Sequence, residues 1–235
     1  MMKNTAIQAI EKEKLIVILR NVEEKQLLPL SEALYRGGIR LMEITYDASG
    51  IISDETVANQ IQLLSNHWNG KMLIGAGTVL TEKQVELTKN AGGLFIISPN
   101  TDAAVIRKTN ELEMVSIPGA LTPTEIQTAH GAGADFVKLF PMDAMGASYL
   151  KAIKAPLSHV RFLAVGGIDC DNMREYLKAG ALGFGIGSSI IRKDLLKEEN
   201  YTAITELAEA YVREVNDYMQ KRKYKGRKAL WIMAK

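Results

Sequence analysis

Short apolar runs of four to six residues recur along the chain, separated by longer stretches whose apolar positions return every three or four residues. The runs are LIVIL 15–19, RLMEIT 40–45, MLIGAG 72–77, LFIIS 94–98, MVSI 114–117, DFVKLF 135–140, RFLAV 161–165 and LGFGIG 182–187. Each has the length and the β-branched or aromatic content of a buried parallel strand. The stretches between them, such as EKQVELTKNAGG, TPTEIQTAHGAG and DNMREYLKAGA, have a capping residue in front and glycine at the end, as amphipathic helices do. Eight strands alternating with helices over about 200 residues predict a single (β/α)8 TIM barrel. A doubly wound sheet with fewer strands is the main alternative. The opening MMKNTAIQAIEKEK reads as the start of a polar N-terminal helix rather than a signal peptide. No proline- or serine-rich linker divides the chain, so one barrel domain is expected over residues 1–220, with a basic and apolar tail over 221–235.

A weak internal repeat sharpens the barrel reading. Aligning Gly38, Gly92, Gly133 and Gly180 brings GIRLMEI, GGLFIIS, GADFVKL and GALGFGI into register, at separations of 54, 41 and 47 residues. Each interval is the length of two βα units, so the repeat is a quarter of a barrel. Five residues beyond each glycine stand Glu43, Ile97, Lys138 and Gly185. Side chains inside such a barrel stack in layers of four from alternate strands, so these positions are expected to share one interior layer. Glu43 and Lys138 then face each other near the C-terminal ends of the strands, with Gly185 leaving room.

Composition limits the remaining possibilities. With 47% hydrophobic and 24% charged residues the chain can build a sizeable core. Its single cysteine, Cys170, excludes an internal disulfide framework and suits a reducing cytoplasm. No apolar run approaches the ~18 residues that would span a bilayer. The net charge is +2, yet KRKYKGRK 221–228 holds six basic residues and no acidic one, which leaves the rest of the chain at −4. Neither nucleic acid nor membrane is expected as a partner of the main body. The basic segment reads as the solvated end of a long helix, although RNA or lipid contact is its other reading. His67, His130 and His159 are scattered without HxH or HExxH spacing, so no metal or other cofactor is expected.

A lysine among Phe136, Val137, Leu139 and Phe140 raises a chemical question. The plain alternative is a buried Lys138–Glu43 ion pair, which stabilises little for its desolvation cost. The functional reading uses that cost. Burial lowers a lysine pKa and yields a neutral amine able to attack a ketone and form a Schiff base, with the carboxylate of Glu43 moving protons. The seventh run leads into Gly166 and Gly167, and the eighth into Gly187 and Ser188. Loops at these two places commonly hold phosphate in barrels, because glycine lets backbone N–H groups converge on an anion. Arg20, after the first run, and Thr78, after GAG, are candidates to hold a carboxylate at the same mouth. Surface placement is the plain alternative for Arg20.

The motifs GGIRLMEIT, IGAGTVL, IISPN, IPGALTPTE, FVKLFP, AVGGI and GIGSS, in that order, resemble the 2-keto-3-deoxy-6-phosphogluconate aldolases over about residues 5 to 215. That family includes 4-hydroxy-2-oxoglutarate aldolases and a phosphogalactonate variant. The resemblance implies a metal-independent class I aldolase, a homotrimer of TIM barrels, releasing pyruvate from a phosphorylated keto sugar acid. It implies that Lys138 is the Schiff-base lysine and Glu43 the general acid and base. It places Thr78, Pro99 and Phe140 at the pyruvate pocket, and Gly166, Gly167, Gly187 and Ser188 at the phosphate. Asp47 stands where phosphogluconate enzymes commonly carry an arginine for the pyruvyl carboxylate, and Arg20 is expected to take over that charge. Val165, in FLAVGGI, is closer to the phosphogalactonate pattern. Two readings outside this class compete: a phosphate-binding barrel isomerase or epimerase that needs no imine, and a non-catalytic oligomeric binding protein that uses the basic tail.

Overall fold

Nine short parallel strands and ten helices alternate along residues 2–233, which are described by a computed structural model with side chains through residue 222. The side chains of the predicted tail from residue 223 onward lie outside the described residues. In chain order the elements begin with α1 (Met2–Glu13), β1 (Leu15–Leu19), α2 (Glu24–Arg36), β2 (Leu41–Thr45), α3 (Asp54–His67) and β3 (Leu73–Gly77). There follow α4 (Glu82–Asn90), β4 (Phe95–Ile97), α5 (Ala103–Glu111), β5 (Val115–Ile117), β6 (Gly119–Ala120), α6 (Pro123–Gly131) and β7 (Val137–Leu139). The last third contains α7 (Gly146–Lys154), β8 (Phe162–Val165), α8 (Met173–Ala179), β9 (Gly183–Ile186), α9 (Lys193–Lys197) and α10 (Tyr201–Met233).

The sheet runs β5-β4-β3-β2-β1-β9-β8-β7-β6, with every pairing parallel. Its two ends, β5 and β6, are consecutive pieces of one extended run interrupted at Pro118, which has no N–H for a ladder. Ser98 N donates to Ile117 O at 3.3 Å on one side of this run, and Lys138 N donates to Pro118 O at 2.9 Å on the other. The ring is thereby closed, and the nine segments form the eight staves of an α/β TIM-like barrel. All eight predicted strands are present, seven of them within one residue at each end. The predicted strand 135–140 shortens to 137–139, and 94–98 to 95–97.

The repeat glycines act where helix turns into strand. Gly38, Gly92, Gly133 and Gly180 all have left-handed backbones, with φ of 91°, 85°, 100° and 109°. This conformation favours residues without a Cβ and ends each helix so that the next strand starts three or four residues later. Caps at the other ends follow the sequence in two of the three quoted helices. Thr81 accepts from Gln84 N, and Thr122 forms a capping box with Glu125. Asn172 makes no side-chain cap for α8; its Oδ1 instead accepts from Asp169 N.

Two hydrophobic layers hold the barrel. The outer one packs the helices on the strands; the inner one fills the cylinder with Ile16, Leu41, Phe95, Val115, Phe136 and Leu163 among others. Ala6 and Ile10 of α1 join the inner layer, so the N-terminal helix plugs the end of the cylinder where the strands begin. A Lys3–Asp135 ion pair at 2.9 Å pins it there. At the outside, α10 lies on α2, where Thr205 Oγ1 donates to Ala33 O at 3.0 Å.

Gly37 sets that contact. A Cβ on Gly37 would stand 2.5 Å from Ala208 Cβ and 2.8 Å from Thr205 O, although its own φ of −70° is ordinary. Gly37→Ala is therefore expected to lower stability by about 1–3 kcal/mol through overpacking alone. A urea titration followed by circular dichroism checks this, and an unchanged midpoint would mean that α10 shifts freely.

Candidate active site

The C-terminal ends of the strands gather the residues singled out from the sequence. Glu43, in the middle of β2, is 1% exposed, and Lys138, in the middle of β7, is 7% exposed. Both point into the cylinder, as the alternation from Leu41 and Phe136 of the inner core requires. Ile97 belongs to the same core, and Gly185 meets Val165 and Ile18 side chains, so all four repeat positions face inward as the quarter repeat demanded.

Lys138 and Glu43 make no ion pair within 4.0 Å. They feel each other's charge across a gap in which Glu43 Oε2 is buried without a hydrogen-bond partner. Burial pushes the Glu43 carboxyl up, against the pull of Lys138 and Arg20. Burial pulls the Lys138 ammonium down, opposed by Glu43 and assisted by the like charge of Arg20. Both shifts favour the neutral forms, an amine and a carboxylic acid, which together hold the protons needed to make and break an imine.

Small residues make the room. A Cβ on Gly77 would stand 1.5 Å from Glu43 Oε1, so the carboxyl group lies directly on the bare backbone of β3. On the other wall, Lys138 Nζ sits 4.8 Å from the centroid of Phe140, which stands half-buried just past β7. Gly77 was not singled out from the sequence; the signal was the GAG of the third run, a glycine ending a strand next to the one bearing the acid.

Around this pair the mouth is built from loops. Arg20 is exposed, yet its Nη2 donates to Thr78 Oγ1 at 3.4 Å, and its charge reaches both Glu43 and Lys138. Thr78 has φ of 55°, a left-handed conformation costly for a β-branched residue and found most often at functional sites. Pro99 is held by a close backbone crossing, since a Cβ on Gly119 would stand 2.3 Å from Pro99 O. Ser98 Oγ donates to Val79 O at 2.8 Å and ties the Pro99 and Thr78 loops together. Asp47 takes no part in the pocket. Its carboxylate accepts from Ser49 N, Ser49 Oγ and Ile52 N within its own exposed loop, which holds its pKa down at about 2.

Gly166 and Gly167 both have positive φ, 103° and 65°. A Cβ on Gly166 would stand 3.0 Å from Met142 N, and one on Gly167 2.6 Å from Asp143 Cβ. The neighbouring loop after β9 begins with Gly187 and exposed Ser188, and Ser189 Oγ donates to Ile168 O at 3.1 Å to join the two loops. The four predicted phosphate residues thus share one solvent-facing rim beside the Lys138 mouth. Among the described residues, no group of three His, Cys, Asp or Glu side chains is arranged to hold a metal, and no helix is long and apolar enough to cross a membrane.

The chain is similar to known proteins along most of its length. The model of the KDPG and KHG aldolase family matches residues 6–207. The 2-dehydro-3-deoxy-6-phosphogalactonate aldolase of Escherichia coli K12 is 34% identical over 198 residues, 84% of this chain and 94% of that protein. The 2-dehydro-3-deoxy-phosphogluconate aldolase of Haemophilus influenzae is 31% identical over 223 residues, covering 93% of this chain and all of the relative. A solved KDPG aldolase from Legionella pneumophila, with pyruvate captured as a covalent carbinolamine intermediate, superposes with a TM-score of 0.78 at 32% identity, over 87% of this chain and 96% of that one. A barrel with these motifs, matched along most of its length by both the family model and its curated relatives, belongs to the KDPG and KHG aldolase family.

Proposed function

We propose that the protein is a class I aldolase that cleaves a 2-keto-3-deoxy-6-phospho sugar acid into pyruvate and glyceraldehyde 3-phosphate. The observation that carries this reading is the pair of buried, unbridged groups, Lys138 and Glu43, both biased toward neutrality inside the barrel. In the proposed scheme neutral Lys138 Nζ attacks the C2 ketone to give a carbinolamine. Glu43, as the acid, protonates the departing hydroxyl, and water leaves an iminium. The electrons of the C3–C4 bond flow into that iminium while the Glu43 carboxylate takes the C4 hydroxyl proton. The aldehyde departs, Glu43 returns its proton to C3 of the enamine, and water hydrolyses the pyruvyl imine.

Arg20 is assigned the pyruvyl carboxylate, because Asp47 is an anion tied into its own loop and Arg20 is the cation that reaches the mouth through Thr78. Thr78, Pro99 and Phe140 are assigned to the walls of the pyruvate pocket, and Gly166, Gly167, Gly187 and Ser188 to the substrate phosphate. The galactonate epimer is the preferred substrate in this reading, supported by Asp47 and Val165 and by the likeness to the Escherichia coli phosphogalactonate enzyme. A trimer is the assembly proposed.

Borohydride reduction in the presence of pyruvate is expected to leave one stable adduct, mapped by mass spectrometry to Lys138. Folded protein without that adduct would point to an isomerase or epimerase. Glu43→Gln is expected to lower kcat by about a hundredfold or more, as loss of a general acid–base does. Gly77→Ala should approach the same loss without touching an ionisable group, since its Cβ would occupy the place of the carboxyl oxygen; steady-state kinetics on folded protein check both.

Stability carries a separate signature. Lys138 is held below its ordinary pKa of 10.5 in the folded state, so between the two values the unfolded chain binds more protons and stability rises with pH. Below that window the full desolvation cost is present. Lys138→Met should therefore be inactive yet more stable at neutral pH, and should lose the rise at alkaline pH. Thermal melts of both proteins from pH 7 to 10 measure this; a less stable variant with an unchanged pH profile would contradict it.

A further inference from the structure

A second cavity, of about 280 Å3, lies at the end of the barrel opposite Lys138. It opens beside the N-terminal ends of β1, β8 and β9, between the ends of α7 and α8 and the stretch of α10 around Tyr218 and Arg222. Lys14, Lys154, Arg161 and Arg222 line it, and among the described residues no carboxylate does. Glu11 pairs with Arg161 at 2.9 Å and is the one acidic group whose charge reaches Lys14. Among the described residues Lys154 has no acidic partner.

The backbone holds these like charges in place. Lys14 Nζ donates to Leu182 O at 3.0 Å and Lys154 Nζ to Val160 O at 3.1 Å, so each ammonium is aimed by one carbonyl and keeps two further donors. Lys14 itself has φ of 63°, a strained conformation for a residue with a side chain. A Cβ on Gly180 would stand 2.5 Å from Lys154 Cδ, so this glycine clears the path of the lysine stem. Burial lowers the pKa of both lysines, and Arg222 presses further on Lys14. Cations gathered in a partly desolvated hollow repel one another, and a multivalent anion relieves that repulsion.

We propose that this cavity is a binding site for a small phosphate-bearing anion, separate from the aldol site. The lysines and arginines supply charge-assisted donors from several directions, as phosphate recognition requires. The volume lies near the lower end of the range for small-molecule sites and admits a phosphate with a short carbon chain.

Amine footprinting of the full chain tests the proposal site by site. The protein is acetylated in inorganic phosphate and in sodium chloride of equal ionic strength, and modification is read at each lysine by mass spectrometry. Phosphate should slow acetylation of Lys14 and Lys154 by about tenfold at ten times its Kd, with exposed Lys71 and Lys193 unchanged. Phosphate held at the aldol mouth protects neither Lys14 nor Lys154, so failure of one site does not decide the other. In Lys154→Met, which keeps the stem and removes the charge, protection of Lys14 should be lost while pyruvate trapping at Lys138 persists. Equal acetylation of Lys14 and Lys154 in both salts overturns the proposal, as does undiminished protection of Lys14 in Lys154→Met.

Discussion

Desolvation of one ammonium group is the constraint around which the rest of this structure is arranged. Placing Lys138 inside a cylinder of Ile, Leu, Val and Phe side chains is unfavourable for its charged form, and among the described residues no carboxylate comes within 4.0 Å to offset that cost. The group relieves the penalty by shedding its proton, and Glu43 relieves its own by keeping one. A direct ion pair would have stabilised both charged forms and left neither nucleophile nor acid. The gap between them is thus as important as their presence, and Gly77 gives the carboxyl its seat on one side of it.

The fold supports that gap from both ends. Below, α1 closes the cylinder with Ala6 and Ile10, so Lys138 meets solvent from the mouth alone. Above, Arg20, Thr78 and Pro99 are set by loop contacts rather than by strands, and the glycine pair at 166 and 167 gives a second rim with positive φ. Rigid staves carry the reacting groups and loops carry recognition, the division of labour that lets one barrel serve many substrates. Arg20 shows the overlap: it directly follows β1, contacts a loop threonine and biases the protonation of both buried groups.

The two ends of the barrel treat positive charge differently. At the mouth a lysine is isolated among apolar walls and brought toward neutrality. At the base Lys14, Lys154, Arg161 and Arg222 are brought together, the two lysines aimed by backbone carbonyls and Arg161 paired with Glu11 at the margin. The first arrangement suits covalent chemistry on a ketone; the second suits reversible capture of an anion.

Local pattern alone determined the eight strands, the helices between them and the inward face shared by Glu43, Ile97, Lys138 and Gly185, because strand period and helix-ending glycines are properties of adjacent residues. The motifs determined the family. The interruption at Pro118, the separation of Lys138 from Glu43, the seat of the carboxyl on Gly77 and the closed loop of Asp47 were decided only by tertiary structure. So was the basal cavity, whose lining comes from residues as distant as Lys14 and Arg222. Each of these depends on how far one strand slides past the next when the sheet closes, a quantity that no single segment encodes and that the packed ring as a whole sets.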